Sequence, residues 1–159
     1  MRNLKRMGAT LMALALVLGM KLTAFAAVED TGFSDVSADA WYADAVAYVR
    51  DNGLMSGTSA AAFDPDGTMT RAMLAQTLYR AAGSPAVSGS DSFTDTAEGA
   101  WYADAVLWAS RQGVISGYGS GLFGTDDPVT REQIAAILWR YAGSPAAEAG
   151  TDFADEADI

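Results

Sequence analysis

Between residues 41 and 53 apolar side chains return at helical spacing. Trp41, Ala45, Tyr48 and Val49 share one face, and the run stops at Asn52-Gly53, where glycine accepts the left-handed conformation that closes a helix. The stretch from Trp101 to Gln112-Gly113 has the same pattern. A second helix is predicted from Thr70, burying Met73, Leu74, Thr77, Leu78 and Ala81, and its counterpart from Thr130 buries Ile134, Ile137, Leu138 and Tyr141. Ala82-Gly83-Ser84-Pro85 ends the first of these. The stretches between the helices, residues 56–69 and 116–129, are rich in Gly, Ser and Asp and too irregular for a strand of any length. The pattern predicts an all-α chain of helix-loop-helix units.

The units are copies of one another. Phe33-Ser34-Asp35 returns as Phe93-Thr94-Asp95 and begins again as Phe153-Ala154-Asp155, 60 residues apart each time. Residues 40–46 and 100–106 are identical, and Gly53, Ser56-Gly57, Phe63, Thr70-Arg71, Leu78 and Arg80 each have the same residue 60 positions later. This divides the chain into a first repeat at 27–85 with its core at 33–85, a connector at 86–92, a second repeat at 93–145, and a linker with the start of a third copy at 146–159. Two helices per copy bury one face each, so a copy should be unstable alone and pack on its neighbour. Trp41 and Trp101, opening apolar stripes, are expected in the core, with Phe33, Phe93, Leu78 and Leu138 as structural residues. Tyr42, Tyr102, Tyr118 and Trp108 are expected to be more exposed, Tyr118 being the best aromatic candidate for ligand contact.

The N-terminus changes the charge picture. Arg2, Lys5 and Arg6 precede an uncharged, almost wholly apolar run from Met7 to Met20, too short to span a bilayer comfortably, and Ala24-Phe25-Ala26 has the small-x-small pattern of a cleavage site. Residues 1–26 are therefore read as a signal peptide. Its removal leaves six arginines against twenty acidic residues, a net charge of −14, and no lysine. Such a surface repels nucleic acid and anionic lipid. The chain has neither cysteine nor histidine, so it lacks a disulfide framework, a thiol nucleophile, the commonest zinc ligands and the commonest general base.

Thr70 and Thr130 are good N-caps, and Gln133 three residues after Thr130 completes a capping box that Met73 breaks in the first copy. Arg71 and Arg131 then occupy the first helical position, where the helix dipole disfavours a cation. Two readings remain open: a nearby carboxylate (Asp64, Asp66, Asp126 or Asp127) offsets the charge, or arginine and free N–H groups jointly hold an external anion. Asp64-Pro65-Asp66-Gly67 has its glycine too early for a calcium loop and lacks a closing bidentate Glu, so it reads as a turn. Neither a metal nor a cofactor is expected. Catalysis would have to rest on a carboxylate pair, and no carboxylate stands out as desolvated.

The order Phe-x-Asp, Trp with an Ala-Val helix, Gly-apolar-apolar-Ser-Gly, an Asp/Pro turn and Thr-Arg opening a second helix resembles the S-layer homology repeat, over nearly all of the chain after residue 26. The resemblance implies repeats that usually come in threes, pack as a pseudo-threefold helical prism, and bind a pyruvylated secondary cell-wall polymer in grooves between repeats. It carries the polymer-binding role to the Thr-Arg motif, hence Thr70, Arg71, Thr130 and Arg131, and to Gln133 at the motif's fourth position, where Met73 departs from the pattern. The expected function is non-catalytic, non-covalent anchoring at the bacterial cell surface. The rival is a structural protein whose repeats pack on like repeats, and a small glycoside hydrolase ranks below both. The third copy breaks off at Ile159 before its tryptophan would fall, which leaves two readings open: the sequence is a fragment of a longer protein, or two repeats associate with another copy or with a further repeat in trans to close the core and bind more weakly for want of multivalency.

Overall fold

The structure, a computed structural model, describes residues 31–146. The expected signal peptide at 1–26 and the start of a third repeat at Phe153 lie outside these residues. Four helices follow in order: α1 (Ala43–Asp51), α2 (Arg71–Ala81), α3 (Ala103–Arg111) and α4 (Arg131–Tyr141). Among the described residues there is no strand, only two isolated bridges, Thr70 with Pro128 and Gly119 with Leu122. The protein is all-α, as the periodicity predicts. α1 closes where expected, the Asn52 and Gly53 N–H groups returning to the Tyr48 and Arg50 carbonyls.

The Phe-x-Asp motif acquires a physical meaning in each repeat. The Asp35 carboxylate accepts from the Phe63 and Asp64 N–H groups (2.9 and 2.7 Å), and Asp95 accepts from Phe123 and Gly124 (2.8 and 2.6 Å). Both carboxylates thus pin the far end of a loop that cannot satisfy its own backbone as a helix would. Phe33 packs on Phe63 and Phe93 on Phe123, with ring centroids 5.4 and 5.3 Å apart. Gly57 lies between these parts at φ 75°, and a Cβ there would stand 2.5 Å from the Ala62 carbonyl oxygen and 2.7 Å from the Phe33 ring. Asp64-Pro65-Asp66-Gly67 forms the expected turn, the Gly67 N–H donating to the Asp64 carbonyl at 3.0 Å.

The main core lies between the repeats. Leu74, Leu78 and Tyr79 of α2 meet Val106 and Trp108 of α3, joined by Ile115 and Phe123 from the second loop and Ile137 of α4. A smaller cluster of Phe33, Val36, Ala43 and Val46 belongs to the first repeat alone.

This arrangement corrects several expectations. Trp41 and Trp101 are 94% and 60% exposed, because each stands in the turn before its helix and off the buried stripe. Tyr48 and Ala45 are exposed too, α1 burying Ala43, Val46 and Ala47 instead. Leu138 is exposed although its counterpart Leu78 is buried, and so are Met73, Ala81 and Tyr141. Trp108, expected outside, is 7% exposed and packs on Tyr79 at 5.7 Å. One cause explains Ala45, Tyr48 and Trp108: the stripe of Ala105, Trp108 and Ala109 on α3 is covered by α2, whereas nothing among the described residues covers its equivalent on α1.

Replacing Gly57 by Ala combines a positive φ with a carbonyl clash and should lower stability by about 1–3 kcal/mol, measured by urea unfolding. Donation from the Phe63 and Asp64 N–H groups holds the Asp35 carboxyl below the usual carboxylate range. For Asp95 burial opposes the shift, but the Phe123 and Gly124 donors outweigh it and the result is again a lowered value. A folded pKa below the unfolded value stabilises the fold above the unfolded pKa, near 3.9, and that contribution is lost as pH falls through the folded value. The thermal midpoint should therefore be flat above about pH 5 and fall below about pH 4. A D35N/D95N variant should melt lower at neutral pH and show a shallower acid slope.

Candidate functional site

Arg71 begins α2 of the first repeat but belongs spatially to the second. It is 4% exposed. Its Nε donates to the Phe123 carbonyl (2.9 Å), its Nη2 to the Ser116 carbonyl (2.7 Å), and its guanidinium lies 4.3 Å from the Tyr118 ring centroid and 5.3 Å from that of Phe123. Its backbone N–H donates to the Asp127 carbonyl and that of Ala72 to Thr125, so the second loop satisfies two of the donors that a helix start leaves unpaired. No carboxylate pairs with Arg71 among the described residues, whose salt bridge is Arg50 with Asp51. Backbone carbonyls and aromatic faces offset the cation in place of the expected aspartates.

Two grooves flank this junction, built alike. The second-repeat groove, about 250 Å³, is lined by Ser116, Gln133, Ile137 and Arg140, with Glu132 at its edge and Arg71 reaching in from the first repeat. The first-repeat groove, about 690 Å³, has Ser56, Met73, Thr77 and Arg80 in the matching places, and Trp101 enters it from the second repeat. With its amide oriented to satisfy both neighbours, Gln76 donates to the Trp101 carbonyl (2.9 Å) and accepts from Arg80 Nε (3.1 Å), which fixes the tryptophan beside the cation. Arg80 also donates to the Leu54 carbonyl at 3.3 Å.

Of the residues singled out from sequence, Arg71 and Gln133 line one groove, and Tyr118 stacks over Arg71. Thr70 is an N-cap, accepting from the Met73 N–H at 3.3 Å. Thr130 is not: its hydroxyl donates to the Glu132 carboxylate, a neighbour that Ala72 cannot imitate, so the expected capping box with Gln133 does not form. That bond lowers the Glu132 pKa, so the groove carries an ionised carboxylate beside its two guanidiniums. The Gln133 Oε1 is buried without a partner among the described residues. Arg131 is exposed and lines neither groove. Sequence reasoning passed over Arg140 and misread Trp101, although the 60-residue recurrence of Arg80 as Arg140 was a signal for the first.

Comparison with known proteins decides the family. The profile of the S-layer homology domain matches residues 32–73 and 92–135. The chain belongs to the S-layer homology domain family. It is 34% identical over 115 residues to the surface-layer 125 kDa protein of Lysinibacillus sphaericus, an alignment covering 70% of this chain and 10% of that protein. It is 31% identical over 135 residues to the S-layer protein sap of Bacillus anthracis, covering 84% and 16%. An amylopullulanase of Thermoanaerobacterium thermosulfurigenes is 31% identical over 117 residues, covering 73% and 6%. The chain spans between 6% and 19% of the lengths of such relatives. S-layer homology domains are the non-catalytic parts by which S-layer and cell-surface proteins attach to the cell wall, and enzymes such as the amylopullulanase carry them apart from their catalytic machinery. Membership places this chain at the cell surface. No described helix is long and apolar enough to cross a membrane.

Removing the Arg71 side chain would leave the Ser116 and Phe123 carbonyls of this S-layer homology pair without their donors. R71M should lose about 1–3 kcal/mol by urea unfolding, whereas R131M, at an exposed position, should change stability by less than about 0.5 kcal/mol.

Proposed function

We propose that the two grooves hold an acidic, pyruvylated secondary polysaccharide of the cell wall and so anchor the protein non-covalently. The observation that carries this reading is Arg71: a buried cation with no carboxylate partner among the described residues, lining the same groove as Arg140. Two guanidiniums against one Glu132 give that groove a local positive charge on a chain whose net charge is −10. A ketal carboxylate fits such a pair, since guanidinium N–H groups form charge-assisted bonds to planar oxyanions and are weakly hydrated. The unpartnered Gln133 Oε1 can accept from a sugar hydroxyl.

The wider groove supports the same ligand by different means. Trp101 offers an exposed aromatic face for the apolar side of a sugar ring, and Arg80 stands beside it. Two grooves on one chain would engage two points of a polymer, and the second contact is then intramolecular. Each groove is lined by a single carboxylate, Glu132 or Asp64, whereas glycoside hydrolysis uses a pair.

Co-sedimentation with wall sacculi tests the proposal. The parent should pellet with sacculi that retain their secondary polymer and stay in solution with sacculi stripped of it. R140Q and W101A should each weaken binding by roughly tenfold, about 1.4 kcal/mol, without lowering the thermal midpoint. Undiminished pelleting with stripped walls, or undiminished binding by an R140Q/W101A variant, would refute it.

A further inference from the structure

The repeats are joined by a plug and a socket, and among the described residues one of each is left unmatched. The plug is the start of α2: the Arg71 guanidinium, the Arg71 and Ala72 N–H groups, and the face of Leu74, Ala75, Leu78 and Tyr79. The socket is the second-repeat loop with α3: the carbonyls of Ser116, Phe123, Thr125 and Asp127, and the stripe of Ala105, Trp108 and Ala109.

Moving 60 residues along gives a second plug on α4, which no described residue receives. Arg131, Ala135, Leu138 and Trp139 are exposed where Arg71, Ala75, Leu78 and Tyr79 are buried. Among the described residues the Arg131 N–H finds no acceptor and the Thr130 hydroxyl offers none, while the Glu132 N–H turns back on its own carboxylate instead of a neighbouring loop. Trp139 is nevertheless held like its counterpart: its Nε1 donates to the Pro145 carbonyl (2.8 Å), as the Tyr79 hydroxyl does to Pro85 (2.9 Å).

Moving 60 residues back gives a second socket, which no described residue fills. The carbonyls of Ser56, Phe63, Pro65 and Gly67, equivalent to the four that receive Arg71 and Ala72, accept no hydrogen bond among the described residues. Ala45 and Tyr48 are exposed and Val49 is half-buried, where Ala105, Trp108 and Ala109 are buried. Ser56 and Phe63 open into the 690 Å³ groove, and the groove that already holds an arginine measures 250 Å³.

We propose that copies of this chain associate head to tail, Arg131 and the exposed face of α4 in one copy entering the first-repeat socket of the next. Trp139 would then meet Tyr48 as Tyr79 meets Trp108, and Arg131 would bring to the first groove the cation that Arg71 brings to the second. The contact is weaker than the one within the chain, because Thr58 stands where Tyr118 covers Arg71. It is also heterologous, using different surfaces on its two sides, so association continues beyond a dimer unless the rotation closes a ring.

Sedimentation velocity of the full chain across a wide range of concentration tests this without any polymer, so its outcome is separate from that of wall binding. The weight-average mass should at least double with concentration. R131A/L138D, which spoils the plug, and Y48D/V49D, which spoils the socket, should each remain monomeric with unchanged helical circular dichroism. Mixing the two variants leaves one intact plug and one intact socket, and should give a dimer of one copy of each and nothing larger. A parent that stays monomeric at every concentration overturns the proposal, as does a plug variant that associates like the parent or a mixture that stays monomeric.

Discussion

A helix start leaves backbone donors unpaired, and an arginine in the first turn adds a charge that the dipole repels; α2 has both problems and solves them with another repeat's backbone. The carbonyls that receive Arg71 and Ala72 lie in the second loop, where glycines, turns and the Asp95 carboxylate hold the chain out of regular structure. Had that loop been helix or sheet, its carbonyls would already be spent. The irregularity of the loops is thus what allows the repeats to join, and the largest core cluster forms at the join because α2 is held against α3 there.

The same loops and helix starts shape the grooves. An inter-repeat junction brings together cations and an aromatic that lie far apart along the chain: Arg71 with Arg140 on one side, Arg80 with Trp101 on the other. Overall charge would predict repulsion of any acidic polymer, yet binding free energy depends on the field within a groove, where charges are close and partly shielded from solvent. A non-catalytic anchoring module is also compatible with the company such domains keep, since the matching segment is a small part of the length of S-layer proteins and of an amylopullulanase alike.

Repeats built on one motif do not present matching surfaces. Leu78 and Leu138, Tyr48 and Trp108, Arg71 and Arg131 occupy matching places in their own units, and each pair is split between buried and exposed. The difference comes from the neighbour, not from the residue. Phe33 and Phe93, by contrast, are held inside their own repeat against Phe63 and Phe123, and both are at least half-buried.

The sequence alone determined the repeat, the all-α class, the four helices within a residue or two, the Thr70 cap and the turn at Asp64, because each depends on local spacing or on neighbours a few positions away. It also identified the family, whose motif is a linear order of residues. The tertiary structure decided which side of each helix is covered. Periodicity marks an apolar stripe but cannot say whether a partner helix lies on it, so Trp41, Trp101 and Leu138 were placed inside and Trp108 outside. It decided, too, what offsets Arg71: the carbonyls and rings that do so lie 45 to 52 residues away, and no spacing rule connects a guanidinium to a backbone oxygen at that range.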